Sequence, residues 1–156
     1  MPKITAVLHT TNDALRLGRA LESLRPCDEF IVLDHSSSDA TVAVAQEYGA
    51  IVKTGSSEAA ATVLASARND WIFSLLPSEV LSEALEASLF EWTLSEHDPA
   101  ATFGVSMRQE LLNGWESLPP ATRLLNRTSR PWVGKLPPEH PQTQVLEGDL
   151  LRLRDP

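Results

Sequence analysis

Four short apolar runs, Ile4 to His9, Glu29 to Leu33, Ala50 to Lys53 and Trp71 to Leu75, alternate with stretches of helical periodicity. Runs of this length suit buried strands, and each is followed by a helix start. The order is therefore β-α-β-α-β-α-β-α, the pattern of a mainly parallel sheet with helices on both faces. Asn12 or Thr11 is placed to cap the first helix, predicted over Ala14 to Leu24, with Pro26 ending it. Asp39 is placed to cap the second, which Gly49 terminates. Ser56 or Ser57 opens an Ala-rich third helix to about Ala67. A fourth runs from Ser82 to about Ser95, with Leu81, Leu85, Leu89 and Trp92 on one stripe.

From about residue 97 the helical periodicity fades. Ala101 to Glu110, Arg123 to Leu125 and Thr143 to Leu153 look like strands, while prolines at 119, 120, 131, 137, 138 and 141 argue for loops. The chain of 156 residues is of single-domain size. Residues 1–96 form its ligand-binding half and 97–156 a strand-and-loop segment laid across the end of the sheet.

A net charge of −8 with scattered basic residues argues against a nucleic-acid partner, whose phosphates need clustered Lys and Arg. The single cysteine, Cys27, excludes an internal disulfide and any multi-Cys metal site. No apolar run approaches a transmembrane segment, and the opening Met1-Pro2-Lys3-Ile4 leaves no room for a signal peptide. The expected location is cytoplasmic.

In a parallel sheet the carboxyl ends of the strands share one edge, where ligands bind. Three polar clusters fall there: His9 to Asp13, Asp34 to Asp39, and Leu76 to Glu79. Asp34 ends an apolar strand and needs a partner. Ser36, Ser37 and Ser38 suit a turn, and Asp39 suits a helix cap with room for ligand contact.

The segments Ile4 to Asp13 and Ile31 to Thr41 (IVLDHSSSDAT) resemble the start of a family 2 glycosyltransferase of the GT-A, Rossmann-like fold. The bacterial subgroup related to lipopolysaccharide core glycosyltransferases is the most similar. Thr122 to Arg127 and Trp132 to His140 are similar to that subgroup's acceptor-side segment. The resemblance implies transfer of a sugar from a nucleotide-sugar, usually UDP-linked, to an acceptor not identifiable from the sequence. It places Thr10, Asn12 and Asp34 toward the base and ribose, with Ser36 and Asp39 in the same nucleotide-binding turn. It makes Glu139, beside His140, the candidate base for an inverting transfer.

The chain departs from the family after the fourth strand. The family carries Asp-x-Asp-Glu there and binds Mg²⁺ or Mn²⁺; this chain has Leu76-Pro77-Ser78-Glu79. Leu76 and Pro77 offer no oxygen ligand, Ser78 is neutral, and Glu79 alone is a poor site, so no metal is expected. Arg123, Arg127 or Lys135 would then have to meet the charge on the leaving phosphate. His9 stands where the family has proline. Ala40 replaces a family glycine, an expected strain point if the backbone there needs positive φ. The alternative reading is an inactive GT-A-like domain that binds a sugar, a nucleotide or a protein partner.

Overall fold

The computed structural model describes residues 1–55 and 57–156. Eight strands and four helices are found among them: β1 (Ile4–Thr10), α1 (Leu17–Glu22), β2 (Glu29–Asp34), α2 (Thr41–Glu47), β3 (Ile51–Thr54), α3 (Ser57–Ser66), β4 (Trp71–Ser74), β5 (Glu79–Leu81), α4 (Glu83–Trp92), β6 (Thr102–Leu111), β7 (Gly114–Asn126) and β8 (Gln144–Arg152). Ser56, an expected cap of the third helix, lies outside the described residues. All strands join one sheet in the order β3-β2-β1-β4-β7-β6-β8-β5.

β1 pairs in parallel with β2 on one side and β4 on the other. The chain moves outward from β1 to β2 and β3, then returns to add β4 on the opposite side. The gap beyond the carboxyl ends of β1 and β4 is thus the topological switch point of the sheet, where α/β proteins open their ligand crevice. β7 then adds antiparallel to β4, and β6, β8 and β5 follow outward. The C-terminal strands therefore extend the sheet and do not lie across its end.

Each face of the sheet has its own apolar core. Ile4, Ala6 and Leu8 of β1 pack with Leu17, Leu21, Leu24, Leu85, Leu89 and Trp92, which places α1 and α4 on one face. Val7, Ile31, Leu33 and Ile72 pack with Val63, Leu64 and Trp132, which places α3 and the β7–β8 loop on the other. The alternation of β1 between the two clusters is the period-two geometry of a strand buried on both sides. Ser82, read from the sequence as the start of this helix, is the cap of α4, its Oγ accepting from Leu85 N at 3.2 Å. Gly49, at φ 79°, ends α2 with Ala50 N donating to Ala45 O at 3.1 Å, a Schellman closure.

Three local expectations are corrected. α1 starts at Leu17, because Arg16 N and Leu17 N both donate to Asp13 O and hold the preceding residues in a turn; Asn12 caps nothing. The residue before α2 is Ala40, at φ −78°, so it carries no positive-φ strain; that conformation falls on Ser36 (φ 61°) and Asn12 (φ 53°). Pro119 and Pro120 lie within β7, at the irregularity between the pairs Val105–Ala121 and Met107–Leu118. β4 reaches only Leu124 to Asn126 of β7, so the missing proline N–H groups leave no ladder bond unmade on that side.

Candidate functional site

The carboxyl end of β1 is organised by Asp13. Its Oδ2 accepts from Thr10 Oγ1 at 2.6 Å and from Thr11 N at 3.1 Å, and its Oδ1 accepts from Arg16 Nε at 2.6 Å. Thr10 and Asp13 are both buried, so this network shapes the site from below. Asn12 is exposed and reaches across to β2's turn, its Oδ1 accepting from Ser38 N at 2.8 Å and its N donating to Ser37 Oγ at 2.9 Å.

Asp34, 3% exposed, finds the partner that a carboxylate at a strand end requires. It accepts from Ser37 N at 3.2 Å and from Ser37 Oγ. The serine turn thus closes on its own strand end, and Ser36, in the left-handed region, is left exposed at its tip. Asp39 accepts from Thr41 N at 3.0 Å, from Thr41 Oγ1 and from Ala14 N at 3.3 Å, tying the two polar turns together. These bonds hold its carboxyl below the usual range, the Thr41 hydroxyl being the largest cause.

Between these turns and the loop after β4 lies a cavity of about 240 Å³, lined by His9, Thr11, Asp13, Arg16, Leu76, Pro77, Ser78 and Lys135. It occupies the switch point. Lys135 arrives from the β7–β8 loop, whose Trp132 is anchored in the core below. Arg16 also binds Asp155, at 3.0 Å.

The cavity wall does not fit a divalent cation. Leu76, Pro77 and Ser78 supply no carboxylate, and Asp13 is engaged by Thr10, Thr11 and Arg16. Glu79, 0% exposed, turns inward: its oxygens lie 2.7 and 2.8 Å from the two terminal nitrogens of Arg123 and 3.2 Å from Arg152. Among the described residues, no three His, Cys, Asp or Glu side chains gather into a ligand set.

The remaining expected residues are dispersed. Arg123, 2% exposed, is spent on Glu79 and on Ser74 O at 3.1 Å, so its charge faces the interior and not the cavity. Arg127 binds Asp70 and the carbonyls of Leu64 and Ala67, where β7 meets the amino end of β4. That is the sheet edge opposite the cavity, reached because β7 runs antiparallel. Glu139 is exposed, with Oε2 accepting from Thr122 N at 2.8 Å and Thr122 Oγ1 at 3.0 Å; His140 N donates to the same Thr122 Oγ1 at 3.2 Å. His140 faces a separate polar cavity of about 400 Å³ with Asp98, Thr102 and Arg130.

Sequence reasoning missed Arg16 and His35. The Asp13–Arg16 spacing, one helical turn, was a readable signal for the first. His35 meets His9 only through the register that sets His9 beside Leu33.

No protein-family model matches the chain. It is 37% identical over 106 residues to an uncharacterized glycosyltransferase of Rickettsia felis, covering 63% of this chain and 36% of that protein. It is 28% identical over 135 residues to another from Rickettsia prowazekii, covering 83% of this chain and 46% of that one. The chain thus spans less than half the length of these relatives. Among solved structures it is similar to glucosyl-3-phosphoglycerate synthase from Mycobacterium tuberculosis in complex with Mn²⁺, uridine diphosphate and phosphoglyceric acid. That match has a TM-score of 0.53 and 22% identity, covering 70% of this chain and 44% of the synthase. The same synthase with Mn²⁺ and uridine-diphosphate-glucose matches equally, at a TM-score of 0.53.

Proposed function

We propose that this chain, whose fold is that of the GT-A glycosyltransferases, binds a nucleotide-sugar at the switch point and transfers the sugar without a divalent cation. The observation that carries this reading is the cavity between β1 and β4, where Lys135 and Arg16 stand beside a loop with no carboxylate. The mycobacterial synthase of the same fold is described with UDP and UDP-glucose, which favours a UDP-linked donor.

In this reading Asn12, Ser36 and Asp39, exposed on the linked turns, meet the base and ribose. Thr10 and Asp34 hold those turns from below and act by positioning. The diphosphate enters the cavity toward Lys135. The acceptor hydroxyl oxygen bonds to the anomeric carbon as the bond from that carbon to the diphosphate breaks. The hydroxyl proton passes to a carboxylate, and Glu139, fixed through one oxygen by Thr122, is the candidate. Lys135 offsets the charge that develops on the departing diphosphate.

Calorimetric titration with UDP and UDP-glucose, with and without Mn²⁺, tests the reading. Micromolar binding unchanged by Mn²⁺ is expected, and absence of heat in every condition overturns it. Lys135→Ala is expected to weaken UDP-glucose binding about tenfold, the loss of one charge-assisted contact.

The inward turn of Glu79 favours a second reading, a GT-A-like module that binds a nucleotide, a sugar or a protein partner without turnover. Binding of UDP-glucose without release of UDP, across a panel of acceptor sugars and hydroxy acids, would select it.

A further inference from the structure

His9, 6% exposed, stands on the cavity wall one residue before the end of β1. Its Nδ1 lies 3.0 Å from Nε2 of His35, with the rings 20° from parallel. Two neutral imidazoles carry two N–H groups, and one of these serves the contact between them. One added proton gives the pair a single positive charge and an N–H on the outer nitrogen of His9, with the contact intact. A second would place hydrogens on both inner nitrogens and break it. The pair is built to accept one proton.

We propose that the His9–His35 pair takes up one proton when a diphosphate enters the cavity. Together with Lys135 it then supplies the positive charge that the loop after β4 cannot recruit through a metal. This rests on the donor reading above. The groups facing His9 are consistent with it. Lys135 brings positive charge to the cavity from the β7–β8 loop, and Arg16 is paired with Asp13 and Asp155. Asp34, beside Thr10 in the β1–β2 register, is bound to Ser37. Behind Leu76, Glu79 is committed to Arg123 and Arg152. Asp13, Asp34 and Glu79 are thus each already bound to protein donors in the absence of ligand. Burial, then His35, then Lys135 hold His9 down to about 4, so the His9 ring carries no proton of its own to meet an anion near pH 6 in the free protein. An anion between His9 and Lys135 opposes the last of these causes and favours the charged form.

The test uses UDP-glucose, whose diphosphate is esterified at both ends and keeps a constant charge between pH 5 and 7.5. Calorimetry in two buffers of different ionisation enthalpy is expected to show uptake approaching one proton per site near pH 5.5. Affinity should rise by up to about tenfold per pH unit as pH falls, the limit for one linked proton. His9→Gln, which keeps a polar group but does not titrate, is expected to flatten that dependence. In the unaltered protein, imidazole NMR with inorganic pyrophosphate should show the His9 titration moving upward. UDP-glucose binding with no proton uptake overturns this inference and leaves the donor site standing. Loss of UDP-glucose binding with a pyrophosphate-shifted His9 overturns the donor reading and leaves a proton-coupled diphosphate site. Absence of both responses overturns both.

Discussion

Glu79 satisfies four donors from the interior: both terminal nitrogens of Arg123, one of Arg152, and the backbone N–H of Leu76 at 2.8 Å. The last of these matters for the site, because it fixes the loop that forms one wall of the cavity. The Glu79 carboxylate is therefore an anchor of the cavity loop. Removing one partner of such a pair strands the other charge in a medium of low polarity. Arg123→Met is therefore expected to destabilise the fold by about 3–5 kcal/mol in urea unfolding. A loss below about 1 kcal/mol would show that Arg152 alone suffices for Glu79. Glu79 and Arg123 were both singled out from the sequence, but as separate members of an open site. Their pairing depends on β7 lying against β4, a contact 44 residues apart that no local pattern encodes.

At the scale of elements, α4 docks on β8 through backbone. Ser82 N donates to Asp149 O at 3.0 Å, and Asp149 N donates to Ser82 Oγ at 3.0 Å. Gly148, at φ 96°, sits at an irregularity in the β6–β8 pairing, where an added Cβ would come within 2.7 Å of the Ala84 carbonyl carbon and Leu85 Cα. Gly148→Ala should cost roughly 2–5 kcal/mol, combining left-handed strain with a clash against rigid backbone. Gly49→Ala, at φ 79° but with nothing within 4 Å, should cost only about 1 kcal/mol by the same denaturation assay. The elements announced by apolar runs were legible from sequence: β1 to β4, β6 and β8 fall close to their expected ends. β5 was not, because three residues carry no period, and most of β7 was not, because its outer half is polar and contains two prolines. The sheet edge that gathers the polar clusters was legible for the same reason as the strands, since polar residues follow each apolar run. The partners of those residues were not, because they are fixed by register between strands.

For the molecule as a whole, pH enters through His9. Its pKa is near 4 when folded and near 6.5 when unfolded, so between those values the unfolded chain binds the extra proton. Stability from this group is complete above about pH 6.5 and declines as pH falls toward 4, by up to about 3 kcal/mol. The difference in unfolding free energy between the parent and His9→Gln, followed from pH 7.5 to 4, should show that slope in the parent alone. No helix among the described residues is long and apolar enough to cross a membrane. The sheet order has a consequence for the birth of the protein. β8 is inserted between β6 and β5, although β5 precedes β6 in the chain. Until residue 152 leaves the ribosome, β5 has no strand to pair with, and Glu79 lacks the second of its arginines. Synthesis at about 5–20 residues per second leaves β5 waiting several seconds for its partner strand. The nascent chain would complete its sheet in one late step, when β8 pairs with β6 on one side and β5 on the other.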